Sequence, residues 1–201
     1  MKSIAFVALA LAGVCWGLGF PTGKLILTET QAAHMVLLRF AVAALAAAPF
    51  ALRRPETRAL FRSPVVLASG VLYGVAFLVQ FEGLAHVSVT VAALLVGAMP
   101  ALIAVSARVR GPFVFGIAAV SIFVAGVRFV AFVFVMHGAP KLDLSPPVWI
   151  AVVAQGVLAT LLATAAWQFG AARVGAASAG VFINIEPLIG AACGVLLFGD
   201  H

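Results

Sequence analysis

The chain has 201 residues, of which 65% are hydrophobic and 9% charged. A soluble domain carries about a quarter of its residues as charges, so this composition excludes a water-soluble fold and implies an all-α, polytopic helix bundle in a lipid bilayer. The net charge of +6 is then no nucleic-acid footprint, and its distribution along the chain sets orientation instead.

Seven apolar runs are long enough to cross hydrocarbon, which takes about 20 helical residues: near 4–23, 33–52, 64–85, 87–107, 113–136, 148–169 and 176–198. The first begins after Lys2 and runs through Trp16 to Phe20 without a cleavage site followed by polar sequence. It reads as a retained helix rather than a signal peptide. Lys24 closes it. The second holds His34 and Arg39 in its outer half, where both are expected to rim the bundle or snorkel to its edge. The third holds Tyr73 and ends in Gln80 and Glu82, and the fourth contains Pro100. The fifth carries Arg128 about 5 Å from its midpoint at 1.5 Å per residue. The sixth starts at Trp149, an interfacial anchor, and holds Gln155, Trp167 and Gln168. The seventh holds Asn184, Glu186 and Pro187.

Eight basic residues (Lys2, Arg53, Arg54, Arg58, Arg62, Arg108, Arg110 and Arg173) fall on one side of these spans, and two, Lys24 and Lys141, on the other. Positive charge resists translocation, which puts the N-terminus in the cytoplasm and the seventh span's end outside. Gly13/Gly17, Gly19/Gly23, Gly70/Gly74 and Gly190/Gly194 are small-xxx-small pairs that let helices approach closely in lipid. Cys15 and Cys193 sit in apolar runs and read as packing residues. No Cys/His cluster has metal-ligand spacing, and nothing calls for a cofactor.

Residues 83–104 can be laid over 170–191 at an offset of 87, with six identities in 22 and a shared layout of helix, short turn and proline-bearing helix. Three helices separate the copies, so they lie inverted. Inverted repeats mark secondary transporters, with the substrate site at the repeat interface. The stretches "WGLGFPTGK" (16–24), "LLRFAVAALAAAPFALRR" (37–54), "FEGLAHVSVTVAALLVGAMP" (81–100) and "AWQFGAARVGAASAGVFINIEPLIGAACGVLLFGD" (166–200) resemble the drug/metabolite transporter superfamily, its EamA-like branch. The resemblance covers about 1–107 and 148–200. It implies a single transmembrane domain over 1–201, with a first half at 1–107 and a partial second half at 113–201. That family pairs inverted five-helix repeats into ten spans. Seven here imply an internal deletion and an absent last helix.

The resemblance implies an inner-membrane carrier of small metabolites, amino acids or drugs, with a small-molecule solute and the bilayer as partners and a homodimer left open. Rival readings are a truncated, non-functional carrier fragment and a receptor-like seven-helix protein. An enzyme is not expected, because no Ser/His pair or Asp-rich phosphate motif is present. Glu186 is the expected coupling carboxylate, since a charge at that depth costs roughly 2.5–3.5 kcal/mol. It binds a cationic or zwitterionic solute, exchanges a proton, or pairs with Arg128. Asn184 is expected to bond an adjacent helix. Trp16, Tyr73, Gln80, Trp167 and Gln168 are candidates for the cavity wall, and Pro100 and Pro187 for helix flexing.

Overall fold

The computed structural model describes residues 2–53, 62–96 and 133–201. Most of the expected fifth span, with Arg128, lies outside them, as does Pro100. Among the described residues all regular structure is helical. Four stretches are long and apolar enough to span a bilayer: Lys2–Ile26, Ala32–Arg53, Pro146–Val174 and Ala177–Phe198; Gly70–His86 is a shorter apolar helix. These match the expected first, second, sixth, seventh and third spans. The chain is a multi-pass helical membrane bundle.

Two of the spans depart from regular α-helix without interruption, each just ahead of a proline. The first divides into α1 (Lys2–Gly17) and α2 (Gly19–Ile26). Pro21 falls in the first turn of α2 and has no N–H to offer the Gly17 carbonyl. The last consists of α8 (Ala176–Gly180), a 3-10 turn (Val181–Asn184) and α9 (Ile185–Phe198). Pro187 is therefore a first-turn residue of α9, where a missing N–H costs nothing. Glu186 lies in the same turn, at the end of the helix whose dipole favours an acidic side chain.

The second span is α3 (Ala32–Arg53). The third and fourth begin α4 (Pro64–His86) and α5 (Val89–Val96), with only Val87 and Ser88 between them. The sixth is α6 (Pro146–Ala154), a π-helical stretch (Gln155–Leu162) and α7 (Ala163–Val174) in unbroken succession. Prolines start α4 and α6 after serines in extended conformation. Gly175, at φ 85°, turns α7 into α8, a conformation only glycine adopts without strain.

Lipid tails are as apolar as leucine, so helices in a bilayer associate through close packing rather than hydrophobic transfer. Glycine supplies that packing here. A Cβ at Gly13 would stand 2.8 Å from the Ile185 Cβ, and one at Gly17 would stand 2.6 Å from the Ile189 Cβ and 2.7 Å from the Glu186 carbonyl. The α1 backbone thus lies against the start of α9. Gly190 and Gly194 seat α9 on Ala93 and Thr90 of α5. The large apolar side chains left outside, such as Leu45, Ile150, Leu188 and Leu196, form the lipid-facing surface.

One end of the bundle is tied by charged side chains that reach main-chain groups. The Lys24 ammonium donates to the Leu84 and Val87 carbonyls, at 2.9 and 2.8 Å, where α4 ends. Glu29 accepts from the Ser145 N–H (2.8 Å) and hydroxyl (2.5 Å), where α6 begins. Asp200 accepts from the Thr90 N–H (2.8 Å) in the first turn of α5. Cys15 and Cys193 are free thiols.

Candidate functional site

A cavity of about 670 Å³ opens among α1 to α5, α7 and the junction of the 3-10 turn with α9. Its wall is largely apolar, with aromatic rings from α1, α2, α4 and α7. Trp16 and Trp167 face each other with ring centroids 5.4 Å apart. Tyr73, Phe77 and Phe81 are on one face of α4, with Tyr73 and Phe77 edge to face at 4.8 Å. The Tyr73 hydroxyl is 3.1 Å from the Thr164 hydroxyl. Trp and Tyr combine apolar faces with polar tips, which suits a pocket for amphiphilic solutes.

Two charged side chains face this cavity, Arg39 from α3 and Glu186 from α9. Arg39 was expected at the rim; it is instead 1% exposed. Its Nε donates to the Thr160 hydroxyl at 2.6 Å and its Nη2 to the Ala159 carbonyl at 3.4 Å. The guanidinium carbon lies 4.0 Å from the Phe77 ring centroid, a cation–π arrangement. Among the described residues Arg39 forms no ion pair, and neither does Glu186. The Thr160 hydroxyl passes its own hydrogen to the Gln155 carbonyl at 2.8 Å, so the π-helical stretch supplies the cradle. Gly156 allows it: a Cβ there would meet Val42 and the Arg39 carbonyl.

Trp16, Tyr73, Gln80, Trp167 and Glu186 are brought together around the cavity, while Gln168 and Asn184 are not among its lining residues. Among the described residues Asn184 bonds no neighbouring helix, where such a bond was expected. It is exposed, and its Nδ2 donates to the Val181 carbonyl three residues back, at 3.0 Å. The tight 3-10 turn puts that carbonyl within reach, closing the turn locally. Gln155 is fully buried behind the wall, donating to the Gly19 carbonyl and to the Thr22 hydroxyl at the α1–α2 junction. Lys24 is a helix-end tether, and His34, also expected at the rim, is buried beside Gln31. Glu82 stays exposed next to His86. Arg128 and Pro100 fall outside the described residues, and with Arg128 its expected pairing to Glu186.

For Arg39 the sequence favours the rim over solute contact. The signal for the cavity was its depth: seven residues past Ala32 is about 10 Å along a helix, at the limit of what an arginine side chain can span to reach water.

The family model for the EamA-like transporter family matches residues 3–111 and, a second time, 106–201. The chain belongs to the EamA-like transporter family. No curated protein and no solved structure matches it. For this EamA-like transporter the cavity is the one place among the described residues where aromatic faces, a buried cation and a carboxylate converge.

Proposed function

We propose that the protein is a secondary carrier of the inner membrane, with its N-terminus in the cytoplasm, and that its solute occupies the aromatic cavity next to Glu186. The observation that carries this reading is the placement of Glu186. It stands in the cavity wall, at the first turn of a helix that starts inside the bundle, with no ion-pair partner among the described residues. A carboxylate so placed binds a cationic group of the solute and exchanges a proton for it. The irregular turns ahead of Pro21 and Pro187 give the flanking segments room to change shape. The orientation rests on the excess of basic residues at one end, where Lys2, Arg53, Arg62 and Arg173 stand among the described residues.

Glu186→Gln preserves size and hydrogen bonding and removes titration. In proteoliposomes under an imposed pH gradient, the altered protein is expected to lose gradient-driven flux of small cationic and zwitterionic solutes while remaining inserted and monodisperse. A Gln variant with the same flux and the same pH profile overturns the reading.

A further inference from the structure

The placement of Arg39 specifies a second chemical feature of the solute. An arginine carries five N–H donors and no acceptor. Two of them are used here, on Thr160 and on the Ala159 carbonyl. Three remain, on Nη1 and Nη2. A guanidinium withdrawn from water is stable only when its charge is met, since desolvation of an unpaired ion is costly. Phe77 meets part of it through the ring face, but an aromatic quadrupole does not occupy N–H donors. Among the described residues no carboxylate reaches them, and the group lines the cavity.

We propose that Arg39 is the anion subsite of this cavity and grips a carboxylate of the transported solute through its free N–H groups. Planar guanidinium and planar carboxylate match in a two-pronged grip, which lysine cannot reproduce. Thr160 and the π-helical stretch hold the fork in place, and Phe77 stops it from folding back. The proposal rests on the reading of the cavity as the solute site. With Glu186 also in the wall, a carboxylate on Arg39 leaves an ammonium free to face Glu186, and an apolar body lies against Phe20, Phe77 and Trp16. The solute class is therefore a zwitterion with an apolar side chain. Such a molecule brings two compensating charges to two wall charges that attract each other across the cavity but stand beyond ion-pair distance.

The test is a binding series on the full chain in lipid nanodiscs, read by quenching of Trp16 and Trp167. Its probes are phenylalanine, phenethylamine, which lacks the carboxylate, and 3-phenylpropionate, which lacks the ammonium. Phenylalanine is expected to bind at least about tenfold tighter than phenethylamine, the scale of charged hydrogen bonds. Arg39→Gln should abolish that preference, and Arg39→Lys should leave part of it. The series on the unaltered protein decides the matter even if Arg39→Gln fails to fold. Phenethylamine binding as tightly as phenylalanine overturns the proposal, as does a preference that survives Arg39→Gln, and as does failure of all three probes to bind. Ala76→Trp, which fills the cavity from α4, separates the two readings. Probe binding blocked by Ala76→Trp but indifferent to the carboxylate removes the Arg39 subsite alone, whereas binding unaffected by Ala76→Trp removes the cavity itself as the solute site.

Discussion

Gln155 and Asn184 are both amides in apolar helices, and the structure uses them differently. Gln155 is fully buried and joins the π-helical stretch to the α1–α2 junction through Gly19 and Thr22. Its Oε1 has no partner among the described residues. Asn184 is exposed and closes its own turn on Val181. Gln155→Leu removes both donated bonds, to the Gly19 carbonyl and the Thr22 hydroxyl, so it should destabilise the protein by about 1–3 kcal/mol. Asn184→Ala should stay within about 0.5 kcal/mol. Thermal melting of both variants in one detergent checks the contrast, and equal losses would reject it. In the sequence these amides looked alike, as polar residues in oil. What separates them is the neighbouring segment each meets, which hydropathy does not encode. For Arg39 the sequence showed depth but not partners, because Thr160 and Phe77, from two other spans, decide its place.

At the scale of elements, glycine spacing carried more information than hydropathy. Gly13 and Gly17 fit α1 against Ile185, Ile189 and the Glu186 carbonyl, while no atom lies near a Cβ built at Gly180. Gly17→Ala should therefore cost about 1–3 kcal/mol through overpacking, and Gly180→Ala should be neutral or slightly stabilising. A matching loss at both sites, in the same melting assay, would show that the seam is not tightly packed. The five spans that the described residues test were legible because each is a long apolar run, and so was the short turn ahead of the seventh. The irregular turns inside spans were not. A run of apolar residues reads as one continuous helix, so Asn184, Glu186 and Pro187 looked like intrusions into its middle. They stand where the 3-10 turn passes into α9, with Glu186 and Pro187 in the first turn and Asn184, which makes no capping bond, bonded back to Val181. The π-helical stretch leaves no mark in the sequence, since its i→i+5 bonding depends on how Gly156 and Thr160 meet α3.

Across the whole molecule, the charges outside the cavity gather at the two ends. Glu29 and Asp200, at the tethered end, are both held below the usual carboxylate range. For Glu29 the main cause is the Ser145 hydroxyl, followed by its N–H and the nearby Lys141 charge; for Asp200 it is the Thr90 N–H. Groups with lowered values add stability that is complete above the ordinary carboxylate values of about 4 and is lost as pH falls through the lower folded values. Hydrogen exchange at the Ser145 and Thr90 amides should accordingly be slow at pH 6 and quicken, after correction for intrinsic rates, toward pH 3. Glu29→Gln should quicken it for Ser145 alone at pH 6, and protection unchanged by acid would discard the tethers as stabilising contacts. These ties differ in kind from the glycine seam. Water can take over at the Lys24 ammonium and the Glu29 carboxylate once the ties part. Water has no room to enter where Gly13 and Gly17 lie on α9, or where Gly194 lies on α5. α1, α5 and α9 thus meet in a seam closed to solvent, whereas the turn between α2 and α3 is held to α4 and α6 by polar ties that solvent can take over and, beneath them, by the packing of Gly23 on Phe81 and of Ile26 in the buried core.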